Sequence, residues 1–242
     1  MSKKSHGLEG HHVVSRAEWI SARTALLARE KEFTKRRDEL ARERRALPWV
    51  KVEKTYVFEG PRGRETLSDL FDGRSQLVVY HFMFAPEWDQ GCPHCSFWAD
   101  SFNGTDVHLK HRDTAFVAAS RAPLAKIQAF QKRMGWTFKW VSSAGTDFNY
   151  DFDVSFRPED LESGKARYNY APVESRHSDR EGVSALYKDA RGAVFHTYSS
   201  YARGIDLLNT AYNILDLAPR GRDEDGLDFT QAWVRHHDRY AD

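Results

Sequence analysis

Apolar residues recur every seventh position from Trp19 through Leu26, Phe33 and Leu40 to Leu47, with Ile20 and Leu27 widening the first two steps. That spacing predicts one long helix from about Arg16 to Ala46. Ser15 followed three residues on by Glu18 makes a capping box, Val14 can staple onto Trp19, and Pro48 marks the stop. The intervening heptad positions are Arg23, Glu30, Arg37 and Arg44, so half of a coiled-coil seam is missing. A narrow stripe on a charged helix predicts packing across the body of the domain; the alternative is a second subunit, a homodimer.

Beyond Pro48 the period changes. Val50 to Phe58 alternates as a strand does, Gly60 to Gly63 reads as a turn, and Arg64 to Thr66 returns. Leu67 to Phe71 is a helical turn closed by Asp72-Gly73. Gln76 to Phe84 is a nearly unbroken apolar run, the mark of a strand buried on both faces. After a loop from Ala85 to Gly91 a helix runs to about Phe102, then a strand Thr114 to Ser120, a helix Pro123 to Met134 and a strand Phe138 to Val141. Asp147 to Phe156 places Phe148, Tyr150, Phe152, Val154 and Phe156 at period two, which predicts a half-exposed strand covered by the N-terminal helix or a dimer partner. Arg157 to Glu181 is polar and loop-like. Val183 to Lys188 and Ala193 to Tyr198 form a hairpin, and Gly204 to Leu215 a last core helix. This order predicts an α/β domain, a central mixed sheet flanked by helices. Its expected boundaries are a helical extension at 1–48, the domain at 49–220 with an insertion near 157–181, and a tail with a short helix at 221–242, where Trp233, His237, Asp238 and Tyr240 dock.

Composition narrows the function classes. Over 242 residues the charged share is 29%, the hydrophobic share 40% and the net charge +1, so no strong field draws the chain to nucleic acid or anionic membrane. The basic clusters at Lys35 to Arg37 and Arg42 to Arg45 are interleaved with acids and read as a solvated helix face. No run approaches a membrane span, and the polar start carries no signal-peptide pattern. A cytoplasmic location is expected, with neither nucleic acid nor membrane as a partner.

The two cysteines fall together, in Cys92-Pro93-His94-Cys95, where a buried strand gives way to a helix. A thiol at a helix N-terminus faces unpaired N–H groups, which favour thiolate. Cys92 is therefore the expected nucleophile and Cys95 the resolving thiol, while protonated His94 adds a positive charge. Cys92, Cys95, His108 and His111 also approach zinc-ligand spacing, so a Cu or Zn protein using Cys92, Cys95 and histidine is the alternative, although no resident metal or cofactor is expected. Trp88 and Trp98 flank the cysteines and are candidate walls of a substrate site. Arg121, just past a strand end, is a candidate for an anionic substrate group, and His81 for a base or a core histidine.

Leu67 to Gly73, a buried strand and a cysteine loop resemble the opening of the thioredoxin and peroxiredoxin superfamily. Nearly the whole chain is similar to a mostly bacterial thioredoxin-like family, domain-of-unknown-function family 899. The resemblance is carried by Ser15-Arg16-Ala17-Glu18-Trp19, Tyr80-His81-Phe82-Met83-Phe84, Gly91 to Trp98, Ser120-Arg121-Ala122-Pro123-Leu124, Arg133-Met134-Gly135-Trp136 and Phe148 to Phe152. It implies a thioredoxin-like fold with a long-helix extension and no settled reaction. Pro86 to Cys92 has the reach of a peroxidatic motif without its hydroxyl residue, and Arg180-Glu181-Gly182-Val183 lacks the proline that thioredoxins place opposite the cysteines. The expected function is thus a thiol–disulfide oxidoreductase, with a peroxiredoxin-like peroxidase as a further alternative. Its expected partners are a disulfide-containing substrate or peroxide and a dithiol electron donor.

Overall fold

The first element of the computed structural model, which describes residues 11–175 and 177–241, is helix α1, Arg16–Ala46. The capping box forms in both directions: the Glu18 N–H donates to Ser15 Oγ at 3.3 Å and the Ser15 N–H to Glu18 Oε2 at 2.9 Å. Ion pairs such as Arg23–Glu30 and Arg36–Glu32, both 2.8 Å, run along it. None of its residues is buried, and Phe33 is 68% exposed. The helix belongs to a compact unit ending at Leu47.

The second unit, from Pro48 on, is built on an eight-stranded sheet. Its elements in order are β1 (Val50–Lys51), β2 (Val57–Gly60), β3 (Gly63–Thr66), β4 (Gln76–His81), α2 (Pro93–Ala99), α3 (Asp106–Lys110), β5 (Thr114–Ser120), α4 (Leu124–Arg133), β6 (Lys139–Ser142), α5 (Phe148–Asp151), α6 (Pro158–Glu162), the small pair β7 (Arg167–Tyr168) and β8 (Ala171–Pro172), β9 (Gly182–Lys188), β10 (Val194–Tyr201) and α7 (Thr210–Leu215). The sheet order is β1-β10-β9-β4-β5-β6-β2-β3. β4, β5 and β6 are parallel, β9 is antiparallel to β4, and β10 antiparallel to β9. A β5-β4-β9-β10 core with a helix leaving the end of β4 is the thioredoxin arrangement, as the sequence order predicts.

Pleat alternation sorts the central strands onto two faces. Leu77 and Val79 of β4 and Ala115, Val117 and Ala119 of β5 enter one core, with Phe148, Phe152 and Leu186. Tyr80 and Phe82, with Phe116 and Ala118, enter the other, which holds both cysteines, α4 and the C-terminal tail.

Three expectations are corrected. Val50 to Phe58 is two strands: β1 pairs with β10 at one edge, and β2 pairs with β3 and β6 toward the other. Asp147 to Phe156 is not a strand but the short helix α5 followed by a loop, because Phe148 and Phe152, four apart, share a helix face as readily as a strand face. Their rings meet at 4.6 Å and are buried under the sheet itself, so neither α1 nor a second copy is needed to cover them. Gly204 to Leu215 is a 3₁₀ turn, Ala202–Leu208, and then α7, broken at Asn209, whose side chain accepts from the Tyr212 N–H at 2.9 Å. Asn209 prefers this capping bond to a place inside a helix.

Candidate functional site

Strand β4 runs out at His81, and the chain passes through Phe82 and Met83 to the cysteine loop. Gly91 is required just before it, since a Cβ there would stand 2.7 Å from the rings of both Phe82 and Phe130. Cys92 is the N-cap of α2 and Pro93 opens it, lacking the N–H that would go unpaired. The Cys92 N–H donates to the Met83 carbonyl at 3.1 Å, and the Ser96 N–H and hydroxyl both donate to the Cys92 carbonyl, at 3.0 and 2.8 Å. The turn that presents the thiol is thereby fixed from both sides.

Both cysteines are free thiols. Cys92 is 8% exposed and Cys95 2%. The Met83 N–H points at Cys95 Sγ, 3.4 Å away, and the Tyr80 hydroxyl donates to the Cys95 carbonyl at 3.3 Å. The neighbouring Cys95 thiol, then His94, holds the Cys92 thiol well below its ordinary range against the opposing cost of burial. Burial, and next the bond to Cys92, pushes Cys95 well above it. The bond to Cys92 raises His94. The dithiol is therefore polarised, with one sulfur prepared as thiolate and the other kept as its proton donor.

The two sulfurs open on a cavity of about 650 Å³. Met83, Trp88, Pro93 and Trp98 supply apolar wall, and Trp98 is locked by its indole N–H donating to the Ile205 carbonyl at 2.9 Å. Two segments outside the thioredoxin core complete the lining: His177, Arg180 and Glu181 at the end of the polar insertion, and Phe229 and Gln231 of the tail. The tail is fastened by His236 Nε2 to the Gly91 carbonyl at 2.8 Å, by Arg133 to Asp238 at 2.7 Å, and by His237 to Asp100 at 2.8 Å. Its expected docked helix is a 3₁₀ turn, His237–Arg239, and His237 and Asp238 serve this docking. Glu181 sits in the stretch where thioredoxins carry their proline, and its charge raises Cys95 and His94 after the larger causes already named.

Of the sequence candidates, Cys92, His94, Cys95, Trp88 and Trp98 come together at this cavity, and Arg121 and His81 do not line it. His81 follows Tyr80 by one residue, so the pleat turns it to the opposite face, where its ring lies 5.5 Å from Phe148 and 5.6 Å from Phe152. It is a core histidine. Arg121 is committed to Asp179 at 2.7 Å, to the Tyr150 hydroxyl at 2.9 Å and to Ser178 Oγ at 3.1 Å. It ties the end of the insertion to the end of β5, and so acts on the cavity only through the wall it holds. His108 and His111, the other zinc-spacing candidates, lie on α3 and at its end, away from the lining. Asp147 and Asp151 pair with Lys54, at 3.7 and 2.7 Å.

Arg121→Ala strands the buried Asp179 carboxylate, a change that typically costs about 3–5 kcal/mol. Urea unfolding of this variant is expected to show a loss of that order, with alkylation of Cys92 also accelerated as the wall loosens.

The sequence profile of a family described as "Bacterial protein of unknown function (DUF899)" matches residues 8–240. The chain belongs to this family. No curated protein matches this DUF899 chain. Among solved structures it is similar to peroxidoxin BcpB from Mycobacterium tuberculosis, at 14% identity and a TM-score of 0.45 over 67% of this chain and 93% of that one. It is also similar to PrxQ of Xylella fastidiosa, at 15% and 0.41 over 66% and 89%, and to peroxiredoxin Q of Xanthomonas campestris, at 15% and 0.42 over 66% and 90%. Likenesses this distant carry no reaction to the DUF899 chain. No helix among its described residues is long and apolar enough to cross a membrane.

Proposed function

We propose that this protein is a thiol–disulfide oxidoreductase working through Cys92 and Cys95. The observation that carries the reading is geometric: two free thiols three residues apart at the first turn of α2, Cys92 as its N-cap, open together with His94 on one cavity. Cys92 thiolate attacks a substrate sulfur, forms a mixed disulfide and releases the first substrate thiolate. Cys95 then gives up its proton and attacks Cys92 Sγ, releasing the second. Two electrons pass to the substrate, which leaves as two thiols, and the protein is left with a Cys92–Cys95 disulfide. An external dithiol donor returns it to the reduced state. His94 stabilises the attacking thiolate, and Trp88 and Trp98 wall the substrate. The setting we propose is the cytoplasm, whose glutathione pool keeps such a pair reduced between turnovers.

The test is the redox equilibrium of the full chain in glutathione buffers, read by thiol alkylation and intact mass. A single two-electron transition between two thiols and one internal disulfide is the expected result. Persistence of both thiols, or stable glutathionylation in place of the internal disulfide, overturns the reading.

A further inference from the structure

We infer that the substrate is a small disulfide with largely apolar, aromatic-sized arms, one of them bearing a carboxylate, and not a protein disulfide. The inference rests on the oxidoreductase reading and adds the class of molecule. Three observations converge on it.

The first is access. Cys92 is only 8% exposed, and its surroundings are not those of an open active-site edge. Segments at both ends of the core, the insertion at 177–181 and the tail at 229–231, add walls around the same two sulfurs. A protein disulfide carries two backbones that must lie flat beside the attacked bond, whereas a free small molecule enters end-on. The cavity, about 650 Å³, falls within the roughly 300–1,000 Å³ usual for small-molecule sites.

The second is the character of the wall. Trp88, Trp98 and Phe229 bring three aromatic rings, and Met83 and Pro93 more apolar surface. Phe229 is 57% exposed, and its ring stands edge-on to His94 with centroids 6.2 Å apart. A large exposed aromatic held over the dithiol by a docked tail is placed to cover an apolar arm.

The third is a guanidinium without an ion pair. Arg203 is paired with Asp206 at 3.2 Å, so that part of the lining is neutralised. Arg180 has no carboxylate partner within ion-pair distance among the described residues, and its Nε is buried without a hydrogen-bond partner. Its guanidinium rests over the Tyr168 ring at 5.9 Å, while Glu181 beside it accepts from the Tyr168 hydroxyl at 3.2 Å. A guanidinium without an ion pair in a cavity wall is suited to a carboxylate.

As chemistry, the bound disulfide is reduced to two thiols while Cys92 and Cys95 are oxidised to their disulfide, and a dithiol donor closes the cycle. The experiment measures turnover of the full chain, with dithiothreitol as donor, on four probes: 5,5′-dithiobis(2-nitrobenzoate), neutral 4,4′-dithiodipyridine, oxidised glutathione and insulin. Each rate is corrected for the donor's own reaction. Saturation with both aromatic disulfides is expected, with KM for either at least tenfold below that for oxidised glutathione and no reduction of insulin above background. Phe229→Ala is expected to raise both aromatic KM values about fivefold, and Arg180→Gln to raise only that of the carboxylated probe. Neither variant removes a core side chain, and iodoacetamide alkylation of Cys92 checks that the site is intact. Insulin reduction at a comparable rate, absence of saturation with the aromatic probes, or faster oxidation by cumene hydroperoxide than by the disulfides overturns the inference. Any of these, alongside a clean internal disulfide in glutathione buffers, defeats the substrate class alone. Failure of that disulfide defeats the parent reading.

Discussion

Cys92→Ser is expected to abolish disulfide reduction, lowering the rate at least a thousandfold, while Cys95→Ser retains the first half of the reaction and accumulates a mixed disulfide. The asymmetry follows from the two sulfurs' surroundings. Cys92 lies at the cavity, where Cys95, His94 and the N-terminal N–H groups of α2 all favour its thiolate. A serine hydroxyl in that place is still protonated at neutral pH, and nothing at the site acts as a base strong enough to take its proton. A thousandfold loss corresponds to about 4 kcal/mol of transition-state stabilisation. Cys95 is more deeply buried and kept protonated, so it is poorly placed to attack first and well placed to donate. Cys95→Ala separates the two roles. It removes the largest stabiliser of the Cys92 thiolate, so the pH profile of Cys92 alkylation is expected to move to higher pH. For each unit of movement the rate below the thiol's pKa falls tenfold. Intact mass for the trapped adduct and stopped-flow alkylation for the profile check both statements. A Cys92→Ser protein that still reduces disulfides, or an unmoved profile in Cys95→Ala, contradicts the assignment.

Much of this arrangement was legible in the sequence, and the parts that were not share a cause. Strand β5 and helix α1 occupy the predicted spans, and the apolar run at Gln76 marked β4, because period and capping are local properties of the chain. The dithiol was legible too, as a strand end, a proline at the first helical position and two cysteines three apart. The walls were not. His177, Arg180, Glu181, Phe229 and Gln231 lie in irregular segments some 80 to 140 residues away, and only tertiary docking brings them to the sulfurs. One signal was present: Glu181 stands in the stretch that thioredoxins use to face their cysteines, and a residue there meets the site whatever its type. Phe148 and Phe152 misled because a separation of four satisfies both a strand's period of two and a helix's period of 3.6. His81 carried its own answer. In a strand whose Tyr80 faces the cysteines, the next residue must face away.

That same parity gives His81 a large effect on stability as it titrates. The ring is fully buried, accepts or donates at Nε2 with Ser184 Oγ at 2.8 Å, and leaves Nδ1 without a partner. Ser184 continues to Ser199 at 2.7 Å, and Ser199 to His196 Nε2 at 2.7 Å, so two imidazoles share one hydroxyl chain. Burial, with a smaller contribution from His196, lowers the His81 pKa to about 3. An unfolded histidine titrates near 6.5. Between those two values the unfolded chain binds one proton more than the folded one, so stability rises with pH and is lost as pH falls below about 6.5. The slope is about 1.4 kcal/mol per pH unit, hence about 2 kcal/mol lost by pH 5 and roughly 4–5 by pH 3. His94, raised by Cys92, acts with the opposite sign, and the half-buried His196, lowered by burial, with the same sign. The difference between the wild type and His81→Gln isolates the one group. Glutamine can still meet Ser184 but does not titrate, so the variant is expected to be less stable at pH 7.5 and to show a stability–pH slope shallower by one proton between pH 6.5 and 5. Urea unfolding across that range measures it, and equal slopes would show that the folded protein accepts the proton after all, which requires a partner at Nδ1 that this packing does not provide.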